Sequence, residues 1–133
     1  MEIRNYAVYK EPEILDLYTS VGWTAYTGDP KTLKMGFSHS LLILAAYEGE
    51  KLLGLVRVVG DGFTVVLIQD LLVLPAYQHK GIGGRLVQAV LKRFSHVRQI
   101  ELATENTPKT IGFYRSQGFL EMSELGCLGF MKP

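Results

Sequence analysis

The chain has 133 residues, 47% hydrophobic and 20% charged, with a net charge of +1. That length holds one domain, and that composition excludes a disordered chain and a general binder of polyanions such as nucleic acid. The longest apolar run, Leu41 to Tyr47, is far short of the roughly 20 residues that span a bilayer, so no membrane partner is expected.

Ile3 to Val8 reads as a first strand. After Pro12, the residues Ile14, Leu15, Tyr18 and Val21 recur at helical spacing, and Gly22 ends that helix. Trp23 to Asp29 reads as a loop. Asp29-Pro30 is an N-cap followed by proline at the first helical position, opening a short helix to about His39. Leu42–Tyr47 and Lys51–Val59 are strands joined by the tight turn Glu48-Gly49-Glu50. Gly60-Asp61-Gly62 turns the chain into a long apolar strand, Thr64–Leu74, interrupted at Gln69 and Asp70. Pro75 stops it. A helix follows from about Gly81 to Phe94, with Ile82, Leu86, Val90 and Phe94 on its core face. Gln99–Ala103 is a strand, Thr107-Pro108 opens a helix through Gln117, and Gly118 ends it. Phe119–Ser123 and Cys127–Met131 are expected as closing strands, with Cys127 packed in the second. The fold class is therefore α/β, a mixed sheet with helices on both faces, and the unit 64–103 has parallel strands joined by a right-handed helical crossover. Met1-Glu2-Ile3-Arg4 has no apolar segment, so no signal peptide is expected. The lone Cys127 fits a reducing cytoplasm.

The balanced charge hides a local excess. From Leu71 to Ile100 there is no Asp or Glu, while Lys80, Arg85, Lys92, Arg93 and Arg98 bring a charge of +5. The same window holds Gln78-His79-Lys80-Gly81-Ile82-Gly83-Gly84, between a buried strand and an amphipathic helix. Glycine lets backbone approach a ligand, and a helix start offers unpaired N–H groups and the positive end of the dipole. Together these favour a phosphate over the plainer alternative of a loop built only for tight packing. A P-loop is absent. The dinucleotide pattern fails, because its third glycine position is Leu86 and a six-residue loop, Pro75 to Lys80, separates strand from glycine.

Leu71-Leu72-Val73-x-Pro75-x-x-Gln78-x-x-Gly81-x-Gly83 resembles the acetyl-CoA motif of the GCN5-related N-acetyltransferases. Phe113-Tyr114-x-x-x-Gly118-Phe119 resembles that family's later signature, and the element order also matches, so the resemblance covers essentially the whole chain. Val21-Gly22-Trp23 and the Gly60-Asp61 turn are similar to a subgroup of small bacterial and plastid acetyltransferases.

The resemblance implies an acetyl-CoA-dependent transfer to a primary amine of a small molecule or peptide, by direct attack. It assigns the pyrophosphate to the backbone of His79, Lys80, Gly81, Ile82, Gly83 and Gly84, with Gln78 and Arg85 beside them. It assigns the pantetheine arm to a splayed edge at Leu71, Leu72 and Val73. A bulge near Gln69-Asp70 would help the strands part. Asn106 and Thr107 lie near the family's further contact to that arm. Tyr114 holds the family's usual acid position, and its plainer role is a core aromatic. The family's strand carboxylate is replaced here by Leu67. Asp70 is the nearest carboxylate, and two roles stay open for it: base, or structural hydrogen-bond partner. Trp23, Tyr26 and Asp61 are expected on the acceptor side, where the two rings could hold a cationic amine on their faces; their plainer role, favoured for Trp23, is to anchor the loop by hydrophobic contact. The family also admits a homodimer through C-terminal strands. No metal is expected. The competing reading is a catalytically silent module that binds or senses coenzyme A, supported by the missing strand carboxylate.

Overall fold

The structure, a computed structural model, describes residues 1–133. It forms two compact units, Met1–Leu102 and Ala103–Pro133. The first holds β1 (Glu2–Asn5), α1 (Glu11–Ser20), α2 (Thr24–Thr27), α3 (Pro30–Ser38), β2 (Leu42–Glu48), β3 (Lys51–Gly60), β4 (Val65–Val73), α4 (Ile82–Arg93) and β5 (Gln99–Leu102). The strands lie in the order β1-β2-β3-β4-β5, antiparallel except for the parallel pair β4–β5 that α4 connects. No helix is long and apolar enough to cross a membrane.

Alternation along the strands divides the apolar residues between two faces. On one, Ala45, Leu52, Leu55 and Leu72 pack with Ile14, Leu17 and Tyr18 of α1 and with Leu33 and Phe37 of α3. The other presents Leu44, Val56, Val58, Val66 and Ile68, all buried, and α4 packs there with Ile82, Leu86, Val87 and Val90 buried. The expected mixed sheet covered on both faces is thus present. Asp29 accepts a hydrogen bond from the Thr32 N–H at 3.2 Å and caps α3, with Pro30 in its first turn. The expected loop from Trp23 contains one helical turn, α2, before that cap.

One irregularity reorganises β4. Arg57 pairs with Asp70, but Val58 pairs with Ile68, so Gln69 is bulged out of the ladder. The expected bulge is there. It turns Asp70 onto the face of Arg57 and leaves Ile68 on the face of Val58, which strict alternation forbids. On the opposite edge of β4, pairing with β5 runs from Val65 only to Ile68. Beyond that point, residues 69–73 have no strand partner on that side.

The second unit holds α5 (Pro108–Ser116), which Thr107 caps by accepting from the Thr110 N–H at 3.3 Å. The expected strands at 119–123 and 127–131 are not formed. Met122–Leu125 is a short 3-10 turn closed by reciprocal bonds between Glu121 and Glu124. Arg115 holds both carboxylates, at 2.6 and 2.9 Å. Cys127 is exposed rather than packed in a strand. The apolar residues of these segments suggested strands, but a strand needs a neighbour for its ladder, and local bonds within the segment need none.

Candidate active site

The loop after β4 is built from the motif residues. Pro75–Tyr77 makes a single 3-10 turn. The Gln78 side chain then donates to the Val73 carbonyl at 3.0 Å, tying the loop to the end of the strand. Gln78 therefore acts on the loop's own backbone. His79 has φ of 62°, the chain's only non-glycine residue in the left-handed region, and Gly81 follows at 83° as the N-cap of α4. Such φ values are costly for a residue with a Cβ, and glycine removes that cost at Gly81.

No side chain caps α4, so the N–H groups at its start, Ile82 to Gly84, project from the loop without a side-chain acceptor. A Cβ at Gly81 would meet nothing within 4 Å, so the space beside the loop is open at that residue. His79, Lys80, Gly81 and Arg85 are exposed, and the Lys80 ammonium lies 5.4 Å from the centre of the Tyr77 ring. Fixed N–H donors, a helix dipole and two exposed cations fit a diphosphate. The unpaired edge of β4 at Leu71, Leu72 and Val73 leads directly into this loop, and it suits an extended amide-bearing chain, which an open ladder can hydrogen-bond as it would a strand.

A second cluster forms around the bulge. Asp70 is 1% exposed and Arg57 6%. Arg57 Nε donates to Asp70 Oδ2 at 2.7 Å, and Tyr18 Oη donates to the same oxygen at 2.8 Å. Tyr26 Oη donates to Oδ1 at 3.2 Å, and Gln69 Nε2 donates to Tyr26 Oη at 3.3 Å. Arg57 Nη1 reaches Ser40 Oγ at 3.3 Å and lies 3.5 Å from the Gly36 carbonyl oxygen. Burial, with the Asp70 carboxylate beside it, pushes the Tyr18 phenol far above its ordinary value, so it stays a donor. Of the two roles open for Asp70, this geometry favours the structural one: both oxygens are occupied by donors from α1, α2 and β3. The Trp23 and Tyr26 rings sit 6.2 Å apart at 37°, and each also meets Tyr18 edge-on. Both are half-buried. Sequence reasoning passed over Arg57 and Ser40. The signal was present: one arginine inside the apolar run Leu52–Val59 demands a buried partner.

Asp61 is not brought to this cluster. Its carboxylate accepts from the Thr64 hydroxyl and from the N–H groups of Phe63, Thr64 and Val65, closing the turn before β4. That is the opposite end of β4 from the glycine loop, about 25–30 Å along the strand. The Thr64 hydroxyl first, and then the three N–H groups, hold the Asp61 carboxyl well below the usual carboxylate range. A depressed folded value means that its stabilisation is complete above the unfolded value of about 3.9 and is lost as pH falls toward the folded one. Asp61→Asn, which does not titrate, is expected to flatten the fall of Tm below about pH 4. An acid limb identical to that of the wild type would exclude this role.

In the second unit, Asn106 is exposed, and the Thr107 side chain is engaged at the start of α5. Tyr114 is half-buried, edge-on to Phe113 at 4.9 Å and to Phe119 at 5.8 Å. Burial raises its phenol above the ordinary value, so the hydroxyl is protonated at neutral pH.

Residues 9–119 match the Acetyltransferase (GNAT) family. A GNAT-family acetyltransferase structure from Streptococcus pneumoniae is 43% identical and superposes with a TM-score of 0.89, over 99% of this chain and 96% of that one. An uncharacterised N-acetyltransferase of Porphyra purpurea, ycf52, is 28% identical over 82% of this chain and 64% of its own length. This chain spans only about three fifths of the curated relatives it matches. PaiA N-acetyltransferase from Thermoplasma acidophilum, in complex with coenzyme A, shares the fold with a TM-score of 0.72 at 19% identity, over 90% of this chain and 89% of that one.

Proposed function

The chain belongs to the GNAT acetyltransferase family, and from that premise we propose that it transfers an acetyl group from acetyl-CoA to a primary amine of a small molecule or peptide. The observation that carries this reading is the junction of β4 and α4: an unpaired strand edge running into an uncapped helix start at a left-handed glycine. The N–H groups of residues 82–84, with Lys80 and Arg85, would hold the diphosphate. Residues 71–73 would hold the pantetheine arm along the β4 edge, and an N–H at the splay would donate to the acetyl oxygen as negative charge develops on it. When bound, the coenzyme supplies an activated thioester and a thiolate leaving group.

Tyr114 would protonate that thiolate: its place in the Phe113-Tyr114-x-x-x-Gly118-Phe119 signature carries the assignment, and its phenol, protonated at pH 7, has the proton to give. Burial of Asp70 leaves the role of base unassigned. A cytoplasmic setting, where thiols stay reduced, goes with the free, exposed Cys127. The reading of a silent module that binds coenzyme A draws on the same burial of Asp70.

The deciding experiment is thiol release from acetyl-CoA across a panel of amines, alongside calorimetry with coenzyme A. Tyr114→Phe is expected to lower kcat by about 100-fold with coenzyme affinity unchanged. Unchanged turnover would remove the acid role. Coenzyme A binding with no turnover of any amine would favour the silent module, and no binding at millimolar concentration would end both readings.

A further inference from the structure

Tyr26 stands between the buried interior and the surface. Its hydroxyl has one proton to give. Asp70, as the carboxylate partner of Arg57, is an acceptor only, so the Tyr26 proton points inward to Oδ1 at 3.2 Å. That leaves the lone pairs of Tyr26 Oη facing away from Asp70. One receives the exposed Gln69 amide at 3.3 Å, at the bulge where β4 leaves the ladder. A carboxylate inside thus dictates an acceptor outside. Arg57 and Tyr18 hold that carboxylate in place, and Arg57 is itself tied to Ser40. The Tyr26 ring that carries this oxygen is half-buried, and its centre lies 6.2 Å from that of the half-buried Trp23 ring. An electron-rich oxygen with two π faces suits an N–H donor bearing positive charge and rejects an anion.

We propose that Asp70 is a positioning residue that fixes Tyr26 Oη as the hydrogen-bond acceptor for the N–H of a primary amine, with the Gln69 amide yielding its place to that amine. The acceptor is then selected as a cationic donor. The amine's fate rests on the acetyl-transfer reading; its binding at Tyr26 does not.

The test uses Trp23, the chain's single tryptophan, as a fluorescent reporter. Whole protein, with and without coenzyme A, is titrated with benzylamine and with benzoate as a matched anion. Wild type is expected to bind benzylamine at least about tenfold tighter than benzoate, and Tyr26→Phe to lose at least about tenfold for benzylamine with coenzyme A affinity unchanged. In turnover the same variant should raise KM for the amine and leave KM for acetyl-CoA alone. Asp70→Asn would present an amide N–H to Tyr26 and turn its proton outward. It should match the Tyr26→Phe loss, and the double variant should lose no more than either alone. If Asp70→Asn does not fold, Tyr26→Phe still decides, since it removes one half-buried hydroxyl.

Benzylamine binding that equals benzoate binding, or is unchanged in Tyr26→Phe, overturns the proposal. Failure of coenzyme A to bind wild type overturns the acetyl-transfer reading and leaves the amine titration to stand by itself.

Discussion

Gly81→Val is expected to weaken coenzyme A at least about 100-fold in calorimetry while leaving a folded protein. Two effects add. Gly81 has φ of 83°, where a β-branched residue is strained by roughly 1–3 kcal/mol, so the chain relaxes toward negative φ. Relaxation rotates the peptide that leads into α4 and turns the N–H groups of Ile82, Gly83 and Gly84 off their common target. On this reading the new side chain also competes with the diphosphate for the open space at Gly81, where a Cβ meets no protein atom within 4 Å. A hydrogen bond to a charged group is worth about 1.5–3 kcal/mol, so losing two costs roughly 3–6 kcal/mol, or about 100-fold and upward. The strain is a minor part of a folding free energy of about 5–15 kcal/mol, so secondary structure by circular dichroism should be retained. Gly81→Ala separates the terms, with the smaller strain and the smaller obstruction. Unaltered affinity in Gly81→Val would show that the diphosphate does not sit on this helix start.

Asp70→Ala is expected to be the most destabilising single change, at about 3–5 kcal/mol in urea denaturation. The carboxylate is the acceptor for Arg57, Tyr18 and Tyr26. Removing it strands the Arg57 guanidinium at 6% exposure, with no carboxylate to neutralise it and Ser40 and the Gly36 carbonyl oxygen as its remaining acceptors. Breaking a buried pair from one side costs about that much, because the surviving charge keeps its desolvation penalty. The orphaned Tyr18 hydroxyl adds to it. Arg57→Met with Asp70→Leu should recover a large part of the loss, since no buried charge is left behind. A single variant within about 1 kcal/mol of wild type would mean that the pair is solvated.

The candidate site was legible in the sequence to different depths. The glycine loop was plain, because what it offers a ligand is backbone: glycines, a helix start and the absence of acids are all visible as letters. Asp61 was correctly read in a turn, but its place on the acceptor side was not found: donors two to four residues further along the chain, at Phe63, Thr64 and Val65, take up its carboxylate within the turn itself. For Tyr26 the sequence pointed only to the ring. The direction of its hydroxyl depends on Asp70, 44 residues away. The closing strands failed for a related reason: Phe119–Ser123 and Cys127–Met131 are rich in apolar residues, while Arg115 and the bonds between Glu121 and Glu124 settle a local turn instead.

By itself, the sequence determined where β2 to β5 and the helices α1, α3, α4 and α5 fall, and that β4 runs through a loop into a helix that starts at a glycine. These follow from periodicity, caps and glycines that act within a few residues. Only the tertiary structure decided which face Asp70 takes. One bulged residue, Gln69, reverses the alternation of β4, and a reversal of that kind is set by pairing to β3 across the sheet, which no local pattern records.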